Sequence, residues 1–570
     1  TLTINPADTA ITCTQTNTRK STTFRLAKVW GANSAAGNVA SLAATTGLTN
    51  NTAVLNSTAS TNTNGATVTV FAGETATLPV ETMSPGTLAN YTTTISCDAG
   101  TLTGTNGQVA GNTVAITAAA IATSPITCTY TNTPKTATLQ LVKAWGANSS
   151  ASDSASIGAT TGGSANTSAF STPGGTNANS GAAVTVTVGN TITFPAETGA
   201  NISNYNTVLS CLADGGATAN AVSGTNGQVS NTLVIGAGDA NKAIVCTYTN
   251  NRISRGITLT KTWTNGKSGD AVSLSITGAT GATAGSSTAG GATTAATATG
   301  FAGNTINFAE GFTTGSGSNY NTTLSCSKDS DSSVVTVSSN SITLPADSAV
   351  TCTFNNSRIA QNLTLAKQWT NGGNGHTATV TTTGGANNPS VNSTSTGNNL
   401  TTGAAVVVYA GDVVTLPAET LGGGAVAANY NSTVACSGGS TLASGATGRT
   451  VTIAGNTTAT TCTYTNARKS ATLTLVKTWA NARNGETATV TSSGFTNNAT
   501  TGLSTSTGNN TTTGTAVTVF AGESGTISEV LSNAANYNAT LACTGNTTAL
   551  AGNTLTINPA DTAITCTQTN

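Results

Sequence analysis

The chain has 570 residues, 19 of them basic and 19 acidic, and charged residues make up only 7%, against about 25% in ordinary soluble proteins. With no net charge, electrostatic capture of nucleic acid is excluded, and no apolar run approaches the roughly 20 residues that a spanning helix needs. One histidine, His376, cannot serve a reaction centre in each of several units or build a histidine metal site, so no cofactor and no metal is expected.

Residues 1–17, TLTINPADTAITCTQTN, recur letter for letter at 554–570. They are expected to be the closing strand of a preceding repeat, in a window cut from a longer repetition. The alternative is that the duplicated ends belong to copies that meet head to tail.

Next comes an L-x-K-x-W segment, found five times as LAKVW, LVKAW, LTKTW, LAKQW and LVKTW, with its tryptophan at Trp30, Trp145, Trp263, Trp369 and Trp479. The repeat length is therefore 106 to 118 residues. Strand alternation puts Leu139, Leu141, Lys143 and Trp145 on one face, which the leucines mark as the core, so the lysine points inward. Lys28, Lys261, Lys367 and Lys477 occupy the same position. The tryptophans are read as core residues, and His376, at a variable loop position, as surface.

The tracts near 155–180, 277–299 and 385–403, rich in Thr, Ser, Asn and Gly, read as long surface loops. Segments such as ATVTVFAGETATLP and GAAVTVTVGNTITFP follow, two alternating runs around a glycine, and predict hairpins. An acidic residue recurs after them, Glu81, Glu197, Glu310, Glu419 and Glu529. Each unit then carries N-Y-x-x-x-[IVL]-x-C and closes on C-T-x-x-N. In I-T-C-T-Y-T-N, alternation places Cys128, Tyr130 and Asn132 together on the inward face, and the equivalent closing residues are Asn250, Asn356, Asn466 and Asn570.

These patterns give an all-β tandem array of five immunoglobulin-like β-sandwiches, with units at 18–132, 133–250, 251–356, 357–466 and 467–570. From the closing Asn to the next Lys the count is always 11, whereas from Lys to Asn it varies between 93 and 107. A junction of fixed length implies that successive units pack in one orientation, as a rod or filament.

Ten cysteines pair one couple per unit: Cys97 with Cys128, Cys211 with Cys246, Cys326 with Cys352, Cys436 with Cys462, and Cys543 with Cys566. Disulfides in an oxidising compartment are the reading, with buried free thiols the alternative; no C-x-x-C pair suggests metal. Cys13 is the image of Cys566, and its partner is expected before the window.

A buried ammonium needs a partner, so lysine, glutamate and asparagine facing one core should meet. Desolvation lowers the lysine pKa and raises that of the glutamate, favouring a neutral pair. A neutral amine beside a carboxamide carbon, with a protonated glutamate on the carboxamide oxygen, would form a Lys–Asn isopeptide bond once per unit and release ammonia.

The L-x-K-x-W opening, E-T-x-x-P-G-x-x-x-x-Y from Glu81 to Tyr91 and the terminal Y-T-N resemble the CnaB or SpaA-type prealbumin-like domains of bacterial surface adhesins and pili. The resemblance implies prealbumin-like sandwiches in which Lys28–Asn132, Lys143–Asn250, Lys261–Asn356, Lys367–Asn466 and Lys477–Asn570 are joined, with Glu81, Glu197, Glu310, Glu419 and Glu529 promoting the bond. The Pro-Gly after the acid stands only in the first unit, and a disulfide already ties the last strand. The same residues could therefore persist as a hydrogen-bonded core cluster, and both readings stand.

The function expected is an extracellular structural protein, a cell-surface filament, adhesin stalk or matrix fibre, that turns over no substrate. Its expected partners are neighbouring copies, with a surface or matrix ligand possible. The alternative is a multivalent adhesin that recognises a glycan or protein through its variable loops.

Overall fold

Every opening strand alternates buried with more exposed residues and ends at or one residue past the tryptophan, and this period-two pattern selects which neighbours it takes. In the computed structural model, which describes residues 1–122, 125–175, 178–445 and 448–570, Ser21–Trp30 lies parallel to the closing strand Ile126–Pro134. The same first-with-last pairing recurs as Thr136–Trp145 with Ala243–Arg252, Ser254–Thr264 with Val350–Arg358, Ala360–Thr370 with Thr460–Arg468, and Ser470–Trp479 with Ala563–Thr569. On its other edge each closing strand runs antiparallel to the strand that starts at or near the N-Y tyrosine, such as Tyr91–Cys97 and Tyr205–Ala213. The closing strand is thus central in its sheet.

A second layer faces this sheet. In the first unit it comprises Leu55–Thr58, Val39–Leu42 and Glu81–Met83, beside Thr75–Thr77, Thr113–Ala115 and Thr101–Thr103. Five apolar cores lie between layers, and each draws its residues from one unit only. The chain is a tandem array of β-sandwiches.

Two expectations need correction. The runs either side of Gly73 are not a hairpin: Val68–Phe71 pairs with the first strand, whereas Thr75–Thr77 pairs with Thr113–Ala115 in the opposite layer. Val70 and Ala76 both point into the core, so the turn at Gly73, φ +87°, is a corner between layers, closed by Glu74 accepting from the Phe71 amide at 3.0 Å. Val184–Thr187 and Thr191–Phe194 split in the same way. The Thr/Ser tracts are not simply loops either. They contain the strands Ser154–Ile157, Phe170–Pro173, Gly285–Thr288, Ser390–Thr394 and Asn399–Thr402. Composition hides these strands because their inward residues are small hydroxyl side chains, and Ser287 and Ser393 are buried.

Residues 1–17 form no strand and are exposed, and Cys13 is an exposed free thiol. The identical residues 554–570 supply Thr554–Thr556 and Ala563–Thr569 to the fifth sandwich. A closing strand takes its shape from the two strands beside it, which residues 1–17 lack here.

The constant spacing at the junctions has a structural cause. One residue separates closing and opening strands, and it bonds both ways: the Ile359 amide donates to Asn319 O behind it, and its carbonyl accepts from Ala410 N ahead. Lys135, Ile253 and Lys469 do the same. Two residues after the closing asparagine, Arg358 donates from Nε to Ala410 O at 2.7 Å and pairs with Asp412 at 2.7 Å. Arg252 and Arg468 reach Ala302 O and Ala521 O in the same way, and Arg19 reaches Ala72 O. Only the first of these junctions lacks the arginine, having Pro134 there. Replacing Arg358 by alanine is expected to remove about 1.5–3 kcal/mol of coupling between the third and fourth units. Faster hydrogen exchange at the Ala410 amide, with the third core unchanged, would show it.

Candidate functional site

The first-with-last pairing decides the geometry of the inward polar residues. Register sets Lys28 opposite Tyr130 and Trp30 opposite Asn132, so the lysine and the asparagine lie two residues apart on adjacent parallel strands, facing the same way. Lys143, Lys261 and Lys367 stand identically to Asn250, Asn356 and Asn466, and Lys477 pairs with Gln568, two before Asn570. The glutamate comes from the opposite layer: Glu81 pairs with Leu42, Glu310 with Leu274 and Glu529 with Val490. It reaches across the sandwich to the amine.

Lysine and glutamate meet in every unit, and the asparagine is hydrogen-bonded to the glutamate in the first, third and fifth. Lys28 Nζ lies 3.0 Å from Glu81, Lys143 3.1 Å from Glu197, Lys261 3.2 Å from Glu310, Lys367 2.9 Å from Glu419 and Lys477 3.2 Å from Glu529. All five lysines are buried, between 0 and 4% exposed. Asn132 Nδ2 donates to Glu81 at 2.8 Å, Asn356 to Glu310 at 2.6 Å and Asn570 to Glu529 at 2.7 Å. In the second and fourth units neither Nδ2 nor Oδ1 of Asn250 or Asn466 has a hydrogen-bond partner among the described residues, although both side chains are fully buried.

Burial pulls the ammonium groups of Lys28, Lys143 and Lys261 down to about 8, against the opposing attraction of their glutamates. Lys367 and Lys477 are lowered for the same reason. The direction is the one desolvation dictates, toward the free amine, with the glutamate attraction opposing it. The tryptophan adds to the cation's surroundings, with Nζ 4.3 to 4.9 Å from the indole centroid in every unit.

Each cysteine couple sits directly opposite across the closing strand and its antiparallel neighbour, and all five couples are disulfide-bonded: Cys97–Cys128, Cys211–Cys246, Cys326–Cys352, Cys436–Cys462 and Cys543–Cys566. The bonds staple strands within one sheet.

The prealbumin-like fold domain model of the SpaA type matches residues 32–134, 141–252 and 256–358, together more than half of the chain. The chain belongs to this prealbumin-like domain family. No curated protein sequence matches it. Among solved structures it is similar to the Bacillus anthracis TIE protein, at 11% identity over 68% of this chain and 64% of that one, TM-score 0.27. It is also similar to the major pilin T-13 of Streptococcus pyogenes, at 12% identity over 39% and 97%, TM-score 0.22. Two B repeat units of the collagen binding protein of Staphylococcus aureus share 12% identity over 76% and 100%, TM-score 0.15.

Several residues that shape these prealbumin-like sites escaped the sequence. The tyrosine of Y-T-N donates its hydroxyl to the carbonyl of the proline two before the glutamate, Tyr130 to Pro79, Tyr248 to Pro195 and Tyr464 to Pro417, at 2.6 to 2.8 Å. It thereby ties the closing strand to the backbone that carries the acid. The recurrence of P-x-E beside Y-T-N was the available signal. Each tryptophan is held by its indole N–H donating to Ser57, Thr172, Ser287, Ser393 or Ser504, and by edge contact with the N-Y tyrosine. His376 is not a bare surface residue. Its Nδ1 lies 2.5 Å from Tyr430 Oη, where Asp153 and Asp270 accept from Tyr205 and Tyr320. It is one of several side chains that anchor the N-Y tyrosine.

Proposed function

We propose that the chain is an extracellular structural protein, part of a cell-surface filament, adhesin stalk or matrix fibre, whose units at 18–132, 133–250, 251–356, 357–466 and 467–570 are each closed by a self-formed Lys–Asn isopeptide bond. The observation that carries this is the buried Lys–Glu–Asn trio repeated in five cores, with the carboxamides of Asn250 and Asn466 unpartnered. An unpaired buried amide is costly, about 1–3 kcal/mol for each orphaned group, whereas a carboxamide converted to a crosslink no longer carries its NH₂ group. Five disulfides fit an oxidising compartment outside the cell.

Mechanics supports the reading. Tension enters a unit along its opening strand and leaves along its closing strand. A Lys143–Asn250 bond carries the load directly between these neighbours and leaves the 106 residues between them slack. The junction arginines hold successive units in one register, and neighbouring copies of the chain are its natural partners.

The test is peptide mass after exhaustive proteolysis of the oxidised chain. Each unit is expected to give a branched Lys–Asn peptide lighter by one ammonia than its two linear parts. The bond should form faster as pH rises from 6 through about 8, where Lys28 loses its proton, with Glu81 and Tyr130 the titratable groups facing it. Linear Lys143 and Asn250 peptides at full yield would refute the crosslink.

A further inference from the structure

In the first and third units the carboxamide oxygen of the closing asparagine accepts a hydroxyl. Thr93 Oγ1 donates to Asn132 Oδ1 at 2.9 Å, and Thr322 Oγ1 to Asn356 Oδ1 at 2.8 Å. The corresponding Thr207 donates to Glu197 Oε2 at 3.0 Å. The residue lies two after the N-Y tyrosine, and the fifth unit has Ala539 there, with no hydroxyl to give.

Two of these threonines are held from behind. A Thr-Asn-Gly-Gln-Val segment occurs at 105–109 and at 225–229 and nowhere else in the sequence. Gln108 Nε2 donates to Thr93 Oγ1 at 3.0 Å, and Gln228 Nε2 to Thr207 Oγ1 at 3.1 Å. A hydroxyl that accepts a hydrogen bond from glutamine has its own proton free to point toward the site. The glycine of the segment lets it lie flat, because a Cβ at Gly107 or Gly227 would stand 2.5 Å from the threonine Cγ2 and 2.9 Å from the tyrosine ring. The carbonyls of Gly107 and Gly227 accept from the amides of Glu81 and Glu197, so the same loop fixes the acid. The loop also excludes water: Thr93 and Thr207 are 4 and 5% exposed, whereas Thr322 and Ala539 are exposed.

We propose that Thr93 and Thr322 stabilise the oxyanion formed as the lysine attacks the asparagine, and that Gln108 positions Thr93, so that the units crosslink at graded rates. This rests on the crosslink reading above. In the step, the Lys28 Nζ lone pair forms a bond to Asn132 Cγ and the C=O electrons move to Oδ1, where Thr93 donates. A proton leaves Nζ through Glu81 to Nδ2, the Cγ–Nδ2 bond breaks, and ammonia departs with no change of oxidation state. The first unit reacts faster than the third, and the fifth, with no hydroxyl at this position, reacts slowest.

The test is cell-free synthesis of the full chain in oxidising buffer, quenched at intervals and read as the branched-peptide fraction of each unit. The Lys28–Asn132 peptide is expected about tenfold or more ahead of Lys477–Asn570. Thr93→Val should slow the first unit on the order of 10²-fold, the effect of losing one oxyanion donor, with the second unit as clock in the same molecule. Thr93→Ser should restore the rate, and Gln108→Ala should slow it with the pH profile unchanged. Ala539→Thr, which adds a hydroxyl at an exposed position, should speed the fifth unit. Equal rates in all units, or no response to both Thr93→Val and Ala539→Thr, would overturn the proposal while leaving the crosslink intact. Absence of branched peptide from every unit of the unaltered chain would overturn both.

Discussion

Pulled from its two ends, the oxidised chain is expected to show no unfolding steps at forces that open uncrosslinked sandwiches, and Asn250→Ala should introduce one step, belonging to the second unit. The reason is the load path. Opening and closing strands are parallel neighbours, and a bond from Lys143 to Asn250 short-circuits everything between them. Both Cys211 and Cys246 fall inside the bypassed stretch, so the disulfide bears no tension while the crosslink stands. Once Asn250 is replaced, the disulfide still holds 35 residues closed. Adding a reductant should then lengthen the new step by roughly 120 Å, at about 3.4 Å per extended residue. Single-molecule force spectroscopy reads both lengths. A second-unit step in the unaltered chain would contradict the load path.

Removing the acid is expected to be the most damaging single substitution. Glu197→Ala leaves Lys143 buried at 1% exposure with its ion-pair partner gone, a change that costs about 3–5 kcal/mol in comparable buried pairs. It also removes the group that relays the proton, so the second unit should keep its ammonia. Calorimetry and peptide mass on the same sample separate the two effects: one unit should melt early, and that unit alone should yield linear Lys143 and Asn250 peptides. Lys143→Met in the Glu197→Ala background should recover part of the lost stability, since an apolar side chain replaces the stranded charge, but no crosslink. A Glu197→Ala unit that melts with its neighbours would exclude the charge argument.

The two devices act on different states of the molecule. Each disulfide closes a loop of 23 to 35 residues and stabilises by restricting the unfolded chain, by about 3–4 kcal/mol in the loop-entropy account. The proposed crosslink would act instead on the folded state under load. Together they fasten the closing strand on both edges, to the opening strand by the proposed bond and to its antiparallel neighbour by sulfur.

Local periodicity determined a good deal by itself. The repeat, the strand identity of L-x-K-x-W and Y-T-N, and the inward direction of Lys143 and Asn250 all follow from alternation within ten residues, which needs no knowledge of what lies alongside. The invariant count of 11 across junctions announced a fixed geometry before the bonds of Ile359 and Arg358 accounted for it. What lies alongside is a different matter. That Lys143 and Asn250, 107 residues apart, occupy adjacent parallel strands depends on closure of the whole sandwich, which no local pattern encodes. The same holds where the sequence misleads. The runs around Gly73 look like a hairpin because each alternates, but only the two-layer packing sends them to opposite sheets. Ser287 and Ser393 look like loop residues until a tryptophan indole from the opening strand is seen to donate to them. Gln108 and Thr93 are unremarkable in sequence, and become neighbours of the candidate site only because a five-residue loop lies flat over the sheet edge. Alternation fixes which way a side chain points; only long-range closure, with its buried polar groups paired across layers, decides what it meets.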